Sequence, residues 1–483
     1  MKAIRHIPKS LKISIIIIIS FLCSYFFISL VGILSRPIEL LRNTYGGNDS
    51  EAIGDVVKDL EGNLYFTGAI KKLGNVSSDM ILVKYNRFGD TTWRKTWGNN
   101  ESDMGLFLSL DSENSVYVVV IRTYYWTSKH ESFLLKYDYN GNKIWERRFT
   151  YFYFQFIKSM IIDDRNNIYL CGVKTKYSYY TADEKREIFL YKFDISGNLL
   201  LNETVVQEPS VEFKSFHIDP ENNLFILGDK ASKDVIFMKL NKNGTLMWNL
   251  TWGGSNHDYA RDFTIDSKGN SYVLVISKSF TPYYANYVLK YNSSGDLKWD
   301  FEWGSSWSYL NEIALDKNEN IYLSGGSWDG EKRNPAFLKL NQTGSFLWEL
   351  VDMTYSNYNL NYSIYSDFLY YDYSSKCFYA LHEIYNHQTR FQICSLLQIS
   401  ETGEIQRRWE WNEEKYINID HILSYGKDKI VLLGVISKSL FDEFDFDILI
   451  IYVGFKNYTV EFFILAISIG TFTIVGMSQK KRK

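Results

Sequence analysis

Three groupings of side chains in this chain have residue types that could do chemistry. His382-Glu383 followed by His387 places two imidazoles beside a carboxylate. A helical zinc motif needs its two histidines four apart, on one face. Here the spacing is five and the neighbours alternate as in a hairpin, so these residues read as structural. Asp442, Glu443, Asp445 and Asp447 form an acidic loop. Ca²⁺ takes such carboxylates, but no Gly-centred loop with a closing Glu follows. The third grouping is aromatic: Tyr124, Tyr125 and Trp126; Tyr151, Phe152, Tyr153 and Phe154; Tyr177, Tyr179 and Tyr180; Tyr283 and Tyr284; Trp307 and Tyr309; Trp328; Tyr355 and Tyr358. Tyr and Trp offer large contact area at low entropic cost, which suits a protein or glycan surface. The expected chemistry is recognition. No catalytic residue, metal or cofactor is expected.

These clusters fall at regular places in a repeat. One copy runs Leu289–Gly304: a short apolar stretch (Leu289, Lys290, Tyr291), a turn at Asn292–Gly295, then alternation from Trp299 to Trp303. That alternation is the period of a half-exposed strand. Further copies place Gly89 before Trp93, Gly141 before Trp145, Gly244 before Trp248 and Gly344 before Trp348. Gly197 and Gly403 mark copies without the tryptophan. The five tryptophans recur once per copy, so they are expected to fill a layer between units.

About thirty residues earlier in each copy lies an Asp, three turn formers, an Asn, an apolar residue and an aromatic. Asp59…Asn63…Tyr65, Asp163…Asn167…Tyr169, Asp219…Asn223…Phe225, Asp266…Asn270…Tyr272 and Asp316…Asn320…Tyr322 fit well. Asp111…Ser115…Tyr117 and Asp372…Lys376…Phe378 fit loosely. The leading aspartates are 52, 52, 56, 47, 50 and 56 residues apart. A period near fifty that holds only strand and turn signals means radial β repetition.

Each copy reads as strands a to d. In the fifth they are Arg261–Asp266, Ser271–Ser277, Asn286–Tyr291 and Leu297–Trp303. Eight a–b–c units begin near Ile53, Met104, Ile157, Phe213, Ala260, Leu310, Ser363 and Asp420. The last lacks a strand d, while an orphan d-like strand precedes the first at 37–47. The expectation is an all-β, eight-bladed β-propeller over 38–455, closed by its N-terminal strand. Seven blades is the alternative.

The pattern Gly-Gly…Asp-x-x-Gly-Asn-x-Tyr-x-x-Gly…Lys-Tyr-Asn-x-x-Gly-x-x-x-Trp resembles the prokaryotic β-propeller repeat family of SBBP type, from residue 38 to about 453. The resemblance implies a surface or secreted propeller and transfers no catalytic motif. The Gly-x-x-x-Trp element also resembles the tryptophan repeat of quinoprotein dehydrogenases. That family implies an adjacent cysteine pair, which this chain lacks, so an enzyme of that kind is the weaker reading.

Ile13–Leu34 carries no charge and follows Lys2, Arg5, Lys9 and Lys12. It is a membrane anchor or a signal peptide, and its length favours the anchor. A second apolar segment, taken as 458–477, precedes Lys480-Lys481-Arg482-Lys483. Basic outer flanks place both termini (1–12 and 478–483) in the cytoplasm and the propeller outside. Four of the 53 basic residues lie in each end, with no acid. The stretch between therefore holds 45 basic against 56 acidic residues, a net of −11. Such a surface excludes nucleic acid as partner, because phosphate neutralisation drives that binding.

Asn-x-Ser/Thr acceptors at Asn48, Asn75, Asn100, Asn202, Asn243, Asn249, Asn292, Asn341, Asn361 and Asn457 all lie between the apolar segments, as suits a glycoprotein. Cys171, Cys377 and Cys394 set no disulfide framework; Cys377 and Cys394 fall on two strands of one hairpin and could meet. Propeller geometry puts the a–b and c–d turns on one face and the long b–c and d–a loops on the other. Both apolar segments join the tight-turn face, so that face is expected against the membrane, with the aromatic loops outward. The functional expectation is a non-catalytic binding or adhesion module; the alternative is a scaffold for a membrane-surface assembly.

Overall fold

The structure is a computed structural model describing residues 38–45, 50–71, 75–124, 129–149, 155–177, 184–209, 211–230, 233–304, 307–331, 333–355, 362–372, 376–386, 392–413, 417–424, 429–437 and 446–454. The described residues form eight four-stranded antiparallel sheets, an all-β propeller architecture. Seven sheets take four consecutive strands. In the eighth, Ile38–Tyr45 pairs with Phe446–Gly454, in the order Ile38–Tyr45, Phe446–Gly454, Lys429–Ser437, Ile417–Ser424. Ile38 stands opposite Gly454 and Tyr45 opposite Ile448. Strands a of consecutive sheets pack on one another in sequence, and Ile417–Ser424 of the eighth packs on Ser50–Lys58 of the first.

Burial follows the repeat. Strands b and c are buried almost throughout, as in Ser271–Ser277 and Ala285–Tyr291. Strand d alternates between exposed and half-buried, as in Leu297–Trp303. The core is therefore a set of layers between sheets, each built from strands b and c of one sheet and strands a, b and c of the next.

The Asp turn is a small hydrogen-bonded device. Asp59 Oδ1 accepts the amides of Glu61 and Asn63 at 3.0 and 2.8 Å, and Oδ2 accepts Asn63 Nδ2 at 2.7 Å. A side chain that bonds its own backbone fixes the turn locally. The tyrosine two residues after the Asn then reaches back: its hydroxyl donates to the aspartate in Tyr65, Tyr117, Tyr169, Tyr272 and Tyr322, at 3.1–3.3 Å. The strand-c lysine lies over the same ring, at 4.9 Å for Lys84 on Tyr65 and 4.7 Å for Lys290 on Tyr272. Asp, Tyr and Lys thus form one unit in each of the first, second, third, fifth and sixth sheets. The loosely fitting Asp111 copy builds the same turn. In the seventh sheet Lys376 does not stand in for the Asn; it is the left-handed residue of the turn, with φ 55°.

The tryptophans join sheet to sheet. Trp93 Nε1 donates to the Tyr139 carbonyl, Trp145 to Ile195, Trp248 to Ser293 and Trp348 to Glu401, at 3.0–3.3 Å. Each acceptor lies in the next sheet's c–d turn. The indole also covers that turn's glycine: a Cβ on Gly344 would sit 2.8 Å from the Trp299 ring. The expectation that the tryptophans fill an inter-sheet layer therefore holds, with the turn as their target.

A cation–aromatic cavity as candidate functional site

The candidate site lies on the long-loop face between the fifth and sixth sheets. In the fifth sheet strands a to d are Asp258–Ile265, Ser271–Ser277, Ala285–Tyr291 and Leu297–Trp303. In the sixth they are Tyr309–Leu315, Ile321–Trp328, Arg333–Leu340 and Phe346–Val351. A cavity of about 510 Å³ opens between them. Its aromatic wall is Tyr259, Tyr283, Tyr284, Trp307 and Tyr309. Its charged lining is Arg261, Lys278 and Arg333, and Ile276, Pro282 and Ser308 complete it. Among the described residues no carboxylate lines it. Its volume matches what a small molecule or one or two sugar units would fill.

Local rules place each side chain. In strand a the register slips between Ala260 and Asp262, so Arg261 has no partner on strand b. Such a bulge re-aims one side chain out of the ladder, and here it presents Arg261 to the cavity. The same slip occurs in strand a of every sheet, and in the fourth it frees Lys214. Lys214 pairs with Asp229 at 3.1 Å and Glu212 at 3.0 Å. Arg261, Lys278 and Arg333 form no ion pair with any described residue.

Two buried polar residues hold the loops. Asp258 accepts the Gly254 amide at 2.9 Å, the Ser279 hydroxyl at 2.8 Å and the Ser277 hydroxyl. This ties the start of the b–c loop, which carries Tyr283 and Tyr284, to strand a. Within that loop the Thr281 hydroxyl donates to the Tyr283 carbonyl. Asn286 donates to the carbonyls of Trp303 and Ser308, both at 3.2 Å, and accepts the Leu310 amide at 2.8 Å. It thereby fixes the d–a connection that carries Trp307.

Trp307 is held from two sides. Arg333 Nε donates to its carbonyl at 3.0 Å, and its ring lies 6.1 Å from that of Trp328. The Tyr259 and Tyr284 rings stand 6.2 Å apart. Burial, and then the neighbouring Tyr284 hydroxyl, push the Tyr259 phenol above its usual range. Lys278 lies 5.6 Å over Tyr284, and the Arg333 guanidinium 5.1 Å over Tyr309.

Of the sequence-predicted aromatics, Tyr283, Tyr284, Trp307 and Tyr309 meet in this cavity, and Trp328 backs it. Tyr124 does not join them; its hydroxyl donates to Glu131 at 2.8 Å within the second sheet. Tyr125, Trp126, Tyr151, Tyr153, Tyr179 and Tyr180 lie outside the described residues. Arg261, Lys278, Arg333 and Tyr259 were not anticipated. The only signal for them was position: each stands next to a long loop, at the loop-side end of a strand.

The other candidates sort simply. His382 is fully buried on strand b of the seventh sheet, 5.3 Å from the Phe337 ring, and burial holds it far below the usual imidazole range. His387, Asp442, Glu443 and Asp445 lie outside the described residues. Among the described residues no group of three or more His, Cys, Asp and Glu could hold a metal ion. Cys377 stands opposite Ser400 and Cys394 opposite Glu383. At about 3.3 Å per residue this separates them by roughly 20 Å along the hairpin, so they do not meet; both are buried and neither is in a disulfide.

Among the glycosylation acceptors Asn75, Asn100, Asn202, Asn243 and Asn249 are exposed. Asn292 and Asn341 are half-buried turn formers whose side chains accept the amides of Asp296 and Ser345. Asn48, Asn361 and Asn457 lie outside the described residues, as do the apolar segments 13–34 and 458–477. Among the described residues no helix is long and apolar enough to cross a membrane.

No family model matches the chain, and no curated protein matches it. Among solved structures it is similar to the WD40 domain of SCAP from fission yeast, at 10% identity over 86% of this chain and 98% of that one, TM-score 0.46. It is similar to a PL25 ulvan lyase at 12% identity over 87% and 96%, TM-score 0.44. It is also similar to prolyl oligopeptidase B from Galerina marginata at 10% identity over 81% of this chain and 56% of that one, TM-score 0.45. At such identities the likeness concerns the fold alone.

Proposed function

We propose that the chain is a membrane-anchored, extracytoplasmic propeller of eight blades, of SBBP-like repeat type, that binds a protein or glycan without catalysis. The observation that carries this reading is the cavity between the fifth and sixth sheets. Four of the aromatics picked out by loop position, Tyr283, Tyr284, Trp307 and Tyr309, converge there, beside loops pinned by Asp258 and Asn286. Trp307 and Tyr283 stay 60% and 64% exposed, which large aromatic side chains do at recognition surfaces. Among the described residues the cavity wall presents cations and phenols, groups that hydrogen-bond and stack on a ligand.

The orientation rests on the chain ends. Ile38 and Gly454 are paired neighbours, and both lie at the tight-turn end of their strands. The chain therefore enters and leaves the described residues at neighbouring points of that face. Around the same rim Ile144, Leu200, Met247, Leu297 and Leu347 are exposed, an apolar belt facing the side from which the anchors depart. The long loops then point away from the bilayer.

The test is binding by the full-length chain in detergent micelles to glycan and protein arrays, with Trp307→Ala and Tyr283→Ala as controls. Binding that both variants reduce supports the reading. A hit that neither variant affects places recognition elsewhere. Protease treatment of intact cells that releases peptides from Gly89 and Asp296 before any from Lys278 inverts the orientation.

A further inference from the structure

We propose that the cavity between the fifth and sixth sheets takes an anionic saccharide, with its sugar ring against Trp307 and Tyr283 and its carboxylate or sulfate met by Arg261, Lys278 and Arg333. The proposal rests on the reading of the long-loop face as a binding face, and adds the ligand's charge and class.

Charge decides first. The stretch between the apolar ends is net acidic, yet among the described residues three cations line this one cavity and no carboxylate does. None of the three is paired with a described residue, whereas Lys214, the bulge residue one sheet earlier, is held between Asp229 and Glu212. Burial holds the Arg261 guanidinium below its usual range although the Asp229 carboxylate acts against that, so an anion in the cavity would stabilise its charge. An aromatic cage alone would suit a quaternary ammonium; with three cations in its wall, this one rejects a positive ligand. Arg261 and Arg333 each carry the planar fork that meets a carboxylate or sulfate through two parallel hydrogen bonds.

Shape decides next. The rings are mostly phenols, with an apolar face and a polar tip. This matches a pyranose, which offers one apolar face and a rim of hydroxyls. About 510 Å³ is room for one or two sugar units, and the cavity opens on the long-loop face, so a polymer could pass through it without ending there. An acidic peptide would present flexible carboxylates with no ring for the Trp307 face. A nucleotide would present a ring but concentrate its charge at one end, whereas Arg261 and Arg333 approach from different sheets.

The test uses the full-length chain in detergent micelles, with calorimetry against polygalacturonate, dextran sulfate, uncharged dextran, poly-glutamate and ATP. The expected result is binding to an acidic polysaccharide that weakens as salt rises, with no binding to dextran. Arg261→Gln, Lys278→Gln and Arg333→Gln should each lose roughly tenfold, the worth of one charge-assisted pair. Trp307→Ala should lose a similar factor while melting like the wild type. Comparison of the two acidic polymers tells carboxylate from sulfate. Dextran binding as tightly, unaffected by the Gln variants but lost in Trp307→Ala, overturns the anionic class and leaves the cavity as the site. Tighter binding of poly-glutamate or ATP overturns the saccharide. Binding that no cavity variant alters overturns the site itself, and no binding to any of the five overturns the proposal.

Discussion

Asp55, on the innermost strand of the first sheet, accepts the backbone amide of Leu108 on the second sheet at 2.8 Å. Asp262 makes the same reach from the fifth sheet to the Ile313 amide of the sixth, at 3.4 Å. Each follows the bulge of its strand. The bulge that frees Arg261 for the cavity turns the next residue toward the neighbouring sheet, so one backbone irregularity serves both site and packing.

These carboxylates should make stability fall as pH rises. Burial pushes both up from 3.8 to about 6. A carboxyl raised on folding holds its proton more tightly in the folded chain. Its stabilising contribution is complete below about 3.8 and is lost as pH rises through about 6. Asp262→Asn keeps an acceptor for Ile313 and can donate to the Ser215 hydroxyl, which lies 3.3 Å from Asp262. Urea unfolding of the variant should show a gain on the order of 1–3 kcal/mol at pH 8 that vanishes near pH 4. Equal stability of variant and wild type at both pH values would show that Asp262 does not titrate as stated.

The opposite sign applies two residues from Ser215. His217 is buried against the Phe263 ring at 4.5 Å, with Nε2 3.1 Å from the Ser215 hydroxyl. Burial lowers it from 6.5 to about 4. A base depressed on folding contributes fully above 6.5, and that contribution is lost as pH falls through about 4. His217→Gln removes the titrating group and leaves a polar end for Ser215. Its stability, followed by fluorescence between pH 7 and 4, should decline less steeply than the wild type. An unchanged acid slope would assign acid unfolding to other groups.

The legible part of this chain was what neighbours in sequence decide. The Asp59–Asn63 turn and the Gly295–Trp299 hairpin form from adjacent residues, so spacing announced them. The last-strand pairing of Ile38 with Gly454 was reachable by counting strands. The link from Tyr65 to Asp59 and Lys84 was not read, because it joins strands b and c through side chains that also suit an ordinary core. The bulge at Arg261 leaves no mark on the apolar period. The cavity's charge was hidden for a related reason: Arg261 and Arg333 belong to strands of two sheets and Lys278 to a b–c loop, and only the fold brings them to one wall.

Gly344 in a c–d turn and Gly330 in a b–c loop give a test of close packing against backbone strain. Gly344 has φ +82° and faces the Trp299 ring, 2.8 Å from a would-be Cβ. Gly330 has φ +107° with nothing within 4 Å. Gly330→Ala should cost only the conformational term, about 1 kcal/mol. Gly344→Ala must also displace an indole, and should cost on the order of 2–4 kcal/mol. Thermal melts compared with the wild type measure both. Equal shifts in the two variants would mean that the indole gives way without cost.

The N-terminal strand should act as the closure of the ring. Without residues 38–45 the eighth sheet would have three strands and would present Phe446–Gly454 as an open edge. That strand is apolar over Ile448–Val453, and a long apolar edge is a template for pairing with another chain. A chain lacking residues 38–45 should therefore self-associate in light scattering and melt at a lower temperature than the full chain. Adding an excess of the peptide Ile-Glu-Leu-Leu-Arg-Asn-Thr-Tyr should reverse both effects, because the missing strand joins through backbone hydrogen bonds that a free peptide can supply. A truncated chain that stays monomeric with an unchanged melt would show that the register from Ile38 to Tyr45 adds nothing to closure. Loss of stability that the peptide does not restore would place the effect in the removed covalent link to residue 46 instead of in the strand.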